Sequence, residues 1–374
     1  MPRSPAHPLG TVRLDFRPGG STAEDLSAVE RAGNALFAAS DEGAELVRLV
    51  TADGGSTYRE DAAFPLSRFF DLPAGPDESE EADIEGMAVA DGWLWVVGSH
   101  SLARKKPRPG SSDAKALARL GKIRRDPNRF LLGRIPLRTD GDHPPEPVRK
   151  HRGNSARCLP FKDGGNALTL ALADDPQFAP FLSIPAKENG FDVEGLAAHG
   201  DRLFLGLRGP VLRGWACILE LAVEEDPDDA GHLLLRRIGP DDAKVRKHFL
   251  DLDGLGIREL AFDGEDLVIL AGPTMDLDGP VSLWRWTDAL AAGVLETGAD
   301  GVVRGDRLVR LLDLPYGERA DHAEGIARVP RAGAAPALLV VYDSPAPERR
   351  HGDGVDADLF ALPSRYDPAN SFLA

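Results

Sequence analysis

Three glutamates, Glu85, Glu194 and Glu324, stand in closely similar surroundings: Asp83-Ile84-Glu85-Gly86, Asp192-Val193-Glu194-Gly195 and His322-Ala323-Glu324-Gly325. Acids at the same place in repeated segments share chemistry only if the fold brings those segments together. If it does, like charges raise one another's pKa or recruit a cation. An all-oxygen donor set favours calcium or magnesium over zinc, and a hydrated calcium would polarise an ester, lactone or phosphoester oxygen. Glu85, Glu194 and Glu324 are therefore the candidate metal ligands. His322 and His100 are the candidate proton carriers, because imidazole titrates near neutral pH. Arg208 and Arg258, with Asp25 and Asp343, are the candidate ligand-binding residues, the arginines serving an anionic group. A structural alternative uses the same residues. Arg258 occupies the glutamate position in a fourth copy, so three Glu and two Arg would also close a ring of ion pairs that fixes register. In that case each Asp caps a turn and each Gly permits a close approach. Ser27 holds the glutamate position in a first copy, without the Gly-x-Ser-x-Gly elbow of a nucleophilic serine.

The elements that must position these groups repeat as well. Each copy reads as a strand, a short Gly-rich turn with Asp or Asn, and a second strand: Asp192 to Ala198, then Gly200-Asp201, then Leu203 to Gly206. Asp83 to Val89 and Trp93 to Val97 repeat it, as do His322 to Ala327 and Leu338 to Val341; Gly256 to Phe262 and Asp25 to Val29 open weaker copies. This is hairpin chemistry between antiparallel strands. A second motif precedes each copy and reads as an outer strand: Phe69 to Pro73, Phe181 to Pro185, Phe249 to Leu252 and Leu311 to Pro315, with Val12 to Phe16 resembling it. Four strands per unit with a period of roughly 60 to 65 residues predict an all-β β-propeller of five blades, with six kept open. The last unit lacks one strand, which Val12 to Phe16 supplies. In antiparallel blades the start of the first strand and the end of the second share one face. The candidate residues therefore converge on one mouth of the central tunnel.

Glu85 and Glu194 are 109 residues apart, too far for one blade, so the second blade is expected to carry an insertion at residues 101–129 within a single domain of residues 11–364. The spacing predicts a helix over Ser111 to Arg125 with Ala116, Leu117, Leu120 and Ile123 on one face, and another over Asn166 to Phe178. From Arg104 to Arg134 there are 11 basic residues against Asp113 and Asp126. This basic segment would serve as a lid that attracts an anion, as a nucleic-acid or partner-binding loop, or as a solvated helix whose charges pair with the acidic disc. Acidic stretches at residues 77–81 and 224–229 read as exposed loops.

The chain has 374 residues, 44 Lys plus Arg against 60 Asp plus Glu, and a formal charge of -16, which argues against a nucleic-acid partner. Its 40 Gly and 30 Pro suit many short elements joined by turns. There is no apolar run of bilayer-spanning length and no secretory leader pattern, so no membrane partner and a cytoplasmic location are expected. Cys158 and Cys217 cannot make a disulfide framework, and whether they pair stays open. Dinucleotide, P-loop and His-Glu-x-x-His motifs do not occur.

The repeated Asp-x-Glu-Gly units, the Lys187-Glu188-Asn189-Gly190 lead-in and the Gly206-Leu207-Arg208-Gly209-Pro210 run resemble the bacterial propeller family catalogued as domain of unknown function 3616. The resemblance spans about residues 11 to 364 and implies a propeller without an activity. The Asp-x-Glu-Gly motif is also similar, over a few residues per blade, to that of esterase-like phytase propellers, which implies calcium-dependent ester or phosphoester chemistry. The expectation is a carboxylate-rich mouth that binds a small anionic ligand or a protein partner. The alternative is a calcium-dependent hydrolase of a small ester, lactone or phosphoester.

Overall fold

The computed structural model describes residues 5–19, 22–51, 53–75, 81–141, 143–275, 277–291, 299–331 and 333–363. Residues 77–80 of the acidic stretch at 77–81, and the expected C-terminal limit at 364, lie outside the described residues.

The chain is all-β and propeller-like, built mainly of antiparallel meanders. The first meander runs Leu26–Ala32, Ala35–Ser40, Glu45–Val50 and Thr57–Pro65. The second runs Ile84–Ala90, Trp93–Gly98 and Leu132–Arg138, with the short strands Glu146–Pro147 and Arg157–Cys158 along its outer edge. The third comprises Asp192–His199, Arg202–Gly209, Trp215–Glu225 and Val245–Asp251, and the fourth Gly256–Asp263, Asp266–Gly272, Val281–Trp286 and Leu308–Leu314. The fifth comprises His322–Arg331, Ala334–Asp343 and Gly354–Ala361. The N-terminal strand Gly10–Asp15 pairs antiparallel with Gly354–Leu359 and parallel with Thr57–Arg59.

The first strands of the five meanders touch in sequence, each lying against the next, and that of the fifth returns to that of the first. The apolar core lies between neighbouring sheets rather than at a common centre. Trp95, Val97, Leu196 and Leu205 pack between the second and third sheets, and Phe37, Phe64, Ile84 and Val96 between the first and second. Alternation explains this arrangement, because each strand sends successive side chains to opposite faces and both faces meet a neighbouring sheet. The glycine of the Asp-x-Glu-Gly motif is required by the close approach of first strands. A Cβ on Gly86 would lie 2.8 Å from Leu196 Cβ, and one on Gly195 would lie 2.9 Å from Leu260 Cγ.

Several expectations are corrected. Phe69 to Pro73 and Phe181 to Pro185 are not strands. Their backbones bond locally, Phe70 N–H to the Leu66 carbonyl and Ile184 N–H to that of Phe181, and both segments end at proline. The motif they share with true outer strands reflects burial, since Phe69 and Phe70 pack into the core between the first two sheets. The helix expected over Ser111 to Arg125 covers only Asp113–Leu120, stops at Gly121 and buries none of its residues. The helix expected from Asn166 is Ala167–Ala171; Asn166 caps it through bonds from Leu168 and Thr169 N–H, and Pro176 bars extension. Cys158 and Cys217 are both free thiols. No helix among the described residues is long and apolar enough to cross a membrane.

Candidate functional site

The Asp-x-Glu-Gly segments do converge. Asp192 and Glu194 start the first strand of the third sheet, and Arg208 ends its second strand one hairpin away. Arg208 Nη2 lies 2.5 Å from Asp192 Oδ2 and its Nη1 2.6 Å from Glu194 Oε1. Arg258 Nε reaches Glu194 Oε2 at 3.0 Å, and the same guanidinium pairs with Glu324. Asp192, Arg208, Glu194, Arg258 and Glu324 thus form a continuous chain of alternating charge across three sheets, nearly all of it buried. Burial works against the charge on Arg208, but Asp192 and Glu194 outweigh it and raise its pKa. Burial pushes the Asp192 carboxyl up to about 7, against the pull of Arg208.

Glu85 is different. It is 9% exposed, and among the described residues it has neither a hydrogen bond nor an ion pair. Burial holds its pKa well above the usual range, and Glu194, Asp83, Asp41 and Asp192 add to the rise. Its neighbour Asp83 is spoken for, by Arg129 Nη1 at 2.9 Å, while Arg129 Nη2 bonds Glu81 at 2.9 Å. Asp41, at the end of the first sheet's second strand, is raised to about 7 by burial and by Asp83, Asp343 and Asp25, with Lys187 opposing. Asp25, bridged through its backbone to Asp343, is raised to about 6 by burial and by Glu42 and Asp343.

Glu85 and Asp41 line a cavity of about 420 Å³ that is also lined by the root of the basic insertion, including Arg104, Lys105 and Pro107. The insertion leaves the second sheet after Gly98 and returns at Leu132. Its root is pinned to the 3-10 turn Ala186–Glu188 that precedes the third sheet, by Arg104 Nη2 to Glu188 Oε2 at 3.0 Å and by Ala186 N–H to the Leu102 carbonyl at 2.9 Å.

The two candidate histidines part company. His322 lies beside Arg258, Glu324 and Asp343 in a smaller adjoining recess. Its Nε2 is 3.1 Å from Asp278 Oδ1 and its Nδ1 3.9 Å from Asp343 Oδ2, and these acids, Asp343 first, raise its pKa. His100 is 3% exposed and lines neither cavity. Its Nδ1 donates to the Gly98 carbonyl at 2.7 Å, its Nε2 accepts from Asn166 Nδ2 at 2.7 Å, and burial lowers its pKa to about 4. Among the described residues no group of three or more His, Cys, Asp or Glu is arranged to hold a metal ion. Glu194 and Glu324 meet arginine instead.

A family model for a protein of unknown function (DUF3616) matches residues 25–358. The chain belongs to this family. Other similarities of this DUF3616 chain are more distant. It is 33% identical over 132 residues, 35% of its length, to the Streptomyces coelicolor protein named actinorhodin polyketide putative beta-ketoacyl synthase 2, and spans 28% of that relative's length. Solved structures similar to it include a Myxococcus xanthus glutaminyl cyclase (13% identity, TM-score 0.37, covering 95% of this chain and 100% of that one). Another is the PQQ-bound aldose sugar dehydrogenase of Streptomyces coelicolor (14% identity, TM-score 0.32, covering 96% and 100%).

The sequence alone did not single out Arg129, Lys105, Glu30 or Glu259. Glu259 takes the place of the motif glycine in the fourth copy, and that irregularity was a readable signal. Its Oε1 accepts from Leu196 N–H of the third sheet at 3.0 Å and from Leu260 N–H at 2.8 Å. Glu30 accepts from Val89 N–H at 3.2 Å, joining the first strands of the first and second sheets.

Proposed function

We propose that this DUF3616 protein is a five-bladed propeller, closed by its N-terminal strand, that binds a small ligand without transforming it. The ligand lies in the cavity between the carboxylate-rich mouth and the basic insertion, with a cationic or hydrogen-bond-donating group on Glu85. The observation that carries this reading is the unpartnered, buried carboxylate of Glu85 facing a cavity of about 420 Å³. A buried polar group without a partner costs free energy, and a ligand that supplies the partner recovers it. The volume suits a small molecule. The anion-binding role expected of Arg208 and Arg258 fits less well, because both guanidinia are already engaged by carboxylates.

The calcium-dependent hydrolase is the second reading, favoured by the excess of carboxylates around Glu85. Calcium takes six to eight oxygens, whereas two of the three expected ligands are committed to arginine. His322, between two acids, is poised as a proton donor but lies in the adjoining recess.

The test is calorimetric titration and thermal melting of the whole protein with linear diamines, with calcium and with chelator. Binding of a diamine that Glu85→Gln abolishes, with the melting temperature of the variant not lowered, supports the ligand reading. A stabilising shift with calcium alone, lost in Glu85→Gln, overturns it in favour of the cation-dependent one.

A further inference from the structure

We propose that the ligand of this cavity is zwitterionic, an amine at one end and a carboxylate or phosphate at the other. This rests on the binding reading above and names the chemistry of its second end. The basic residues around the cavity divide into two sets. Arg129 is bound to Asp83 and Glu81, Arg208 to Asp192 and Glu194, and Arg104 to Glu188. Lys105 and Lys187 also line the cavity, and among the described residues neither ammonium has a hydrogen bond or ion pair. The free cations therefore belong to the insertion root and to the segment it docks on, and the free anions, Glu85 and Asp41, to the mouth.

One member of each set is crowded by like charge. Repulsion from Lys122, with that of Arg124, Arg119 and Arg108, lowers the pKa of Lys105, and burial, with the neighbouring carboxylates, raises that of Glu85. An anion at the roof and a cation at the floor each relieve one cluster. A ligand carrying only one charge relieves one and brings a like charge no closer to balance at the other. Both clusters line one cavity, so a single molecule that reaches both gains two charge-assisted contacts. The anionic ligand expected from the sequence thus becomes one end of a bipolar one, held by Lys105 and Lys187 instead of Arg208 and Arg258.

The experiment is calorimetric titration of the full chain at pH 7.5 and low salt with three six-carbon or five-carbon probes: 6-aminohexanoate, cadaverine and hexanoate. Shorter and longer amino acids, from 4-aminobutanoate to 8-aminooctanoate, cover the span. The amino acid of best length should bind about tenfold or more tighter than cadaverine, whose second end is also cationic, or hexanoate, one charge-assisted bond's worth. A Lys105→Ala, Lys187→Ala double variant should erase the advantage of the amino acid over cadaverine without weakening cadaverine binding, while Glu85→Gln should lose both. Cadaverine binding as tightly as every amino acid, in a Glu85-dependent way, would overturn the zwitterion and leave the mouth as a cation site. Binding of no probe, or binding indifferent to Glu85→Gln, would overturn the mouth reading and this inference with it.

Discussion

Arg258 stands in the fourth repeat where Glu194 stands in the third, and the two side chains meet, Nε to Oε2 at 3.0 Å. The reversal of sign is what lets the repeats close on one another. With glutamate in all these positions the mouth would hold only repelling charge; with arginine in one, Glu194 and Glu324 each gain a buried partner. Glu194 is 2% exposed and shared by two guanidinia, so removing its charge strands both. Glu194→Gln is therefore expected to lower unfolding free energy by about 3–5 kcal/mol, the cost of breaking a buried pair from one side. Urea denaturation measures this, and a loss under about 1 kcal/mol would show that the ion-pair chain does not stabilise the fold.

Glu85→Gln should act in the opposite direction. The same motif position in the second repeat makes no direct ion pair with an arginine among the described residues, and its carboxylate is buried among acids. The isosteric amide removes that repulsion wherever the carboxylate is ionised, so in alkaline buffer the melting temperature should rise by about 2–4 °C, the shift expected for a gain near 1 kcal/mol in a large domain. Two glutamates at equivalent positions would then carry opposite signs of stability. A melting temperature lowered as far as in Glu194→Gln would contradict the unpartnered state of Glu85.

The pH dependence follows from the same groups. Asp25 is raised to about 6 and Asp41 and Asp192 to about 7, and Glu85 is raised well above the usual carboxyl range. Each binds its proton more tightly folded than unfolded, so the folded state is favoured while they are protonated. That contribution is fully present below the unfolded carboxyl values and is lost as pH rises through 6 to 7. The melting temperature should therefore fall between pH 5 and pH 8, and Asp41→Asn combined with Glu85→Gln should flatten the fall. A zwitterion or amine at the mouth should bind more tightly as pH rises over this window and release protons, which titration in buffers of different ionisation enthalpy detects.

Much of this was legible in the chain because it is local. A strand, a Gly-Asp turn and a second strand are written in contiguous residues, and the ring of first strands follows from repeating them. The convergence of Glu85, Glu194 and Glu324 was readable for the same reason. What separates Glu85 from Glu194 was not. It depends on Arg208 and Arg258, which lie on two different sheets, and on Arg129, which returns from the far end of the insertion to take Asp83. Outer strands were also misjudged where burial mimicked pattern: Phe69 and Phe70 look like the strand residues Phe249 and Leu250, but their backbone turns locally. His100 looked like a channel base by position, yet Asn166, distant in sequence, draws it into the wall.

The motif glycines answer to packing. Gly195 faces Leu260 and the Glu259 backbone of the next first strand, with 2.9 Å and 3.1 Å to a hypothetical Cβ. Gly195→Ala should cost about 1–3 kcal/mol by overpacking that contact. The turn glycine Gly264 has open space around it but a φ of +65°, so Gly264→Asn should be nearly neutral, since asparagine tolerates that conformation. Equal losses at the two sites in chemical denaturation would argue against the close approach of the sheets.

The proposed closure makes the sharpest demand. Gly10–Asp15 pairs along its length with Gly354–Leu359 and lies parallel to Thr57–Arg59, while Val12 and Leu14 are buried between the fifth and first sheets. Removing residues 1–16 would leave two unpaired edges and an open seam in the apolar core, a template for association with other chains. The truncated protein is expected to aggregate or to melt far below the whole chain, and a synthetic peptide of residues 9–16 added in trans should restore part of the transition. Leu14→Ala in the intact chain isolates the packing component, at about 2–5 kcal/mol for a fully buried leucine. If the truncated chain instead melts cooperatively at the temperature of the whole protein, the strand is an appendage and the ring of sheets is held shut by its first strands alone.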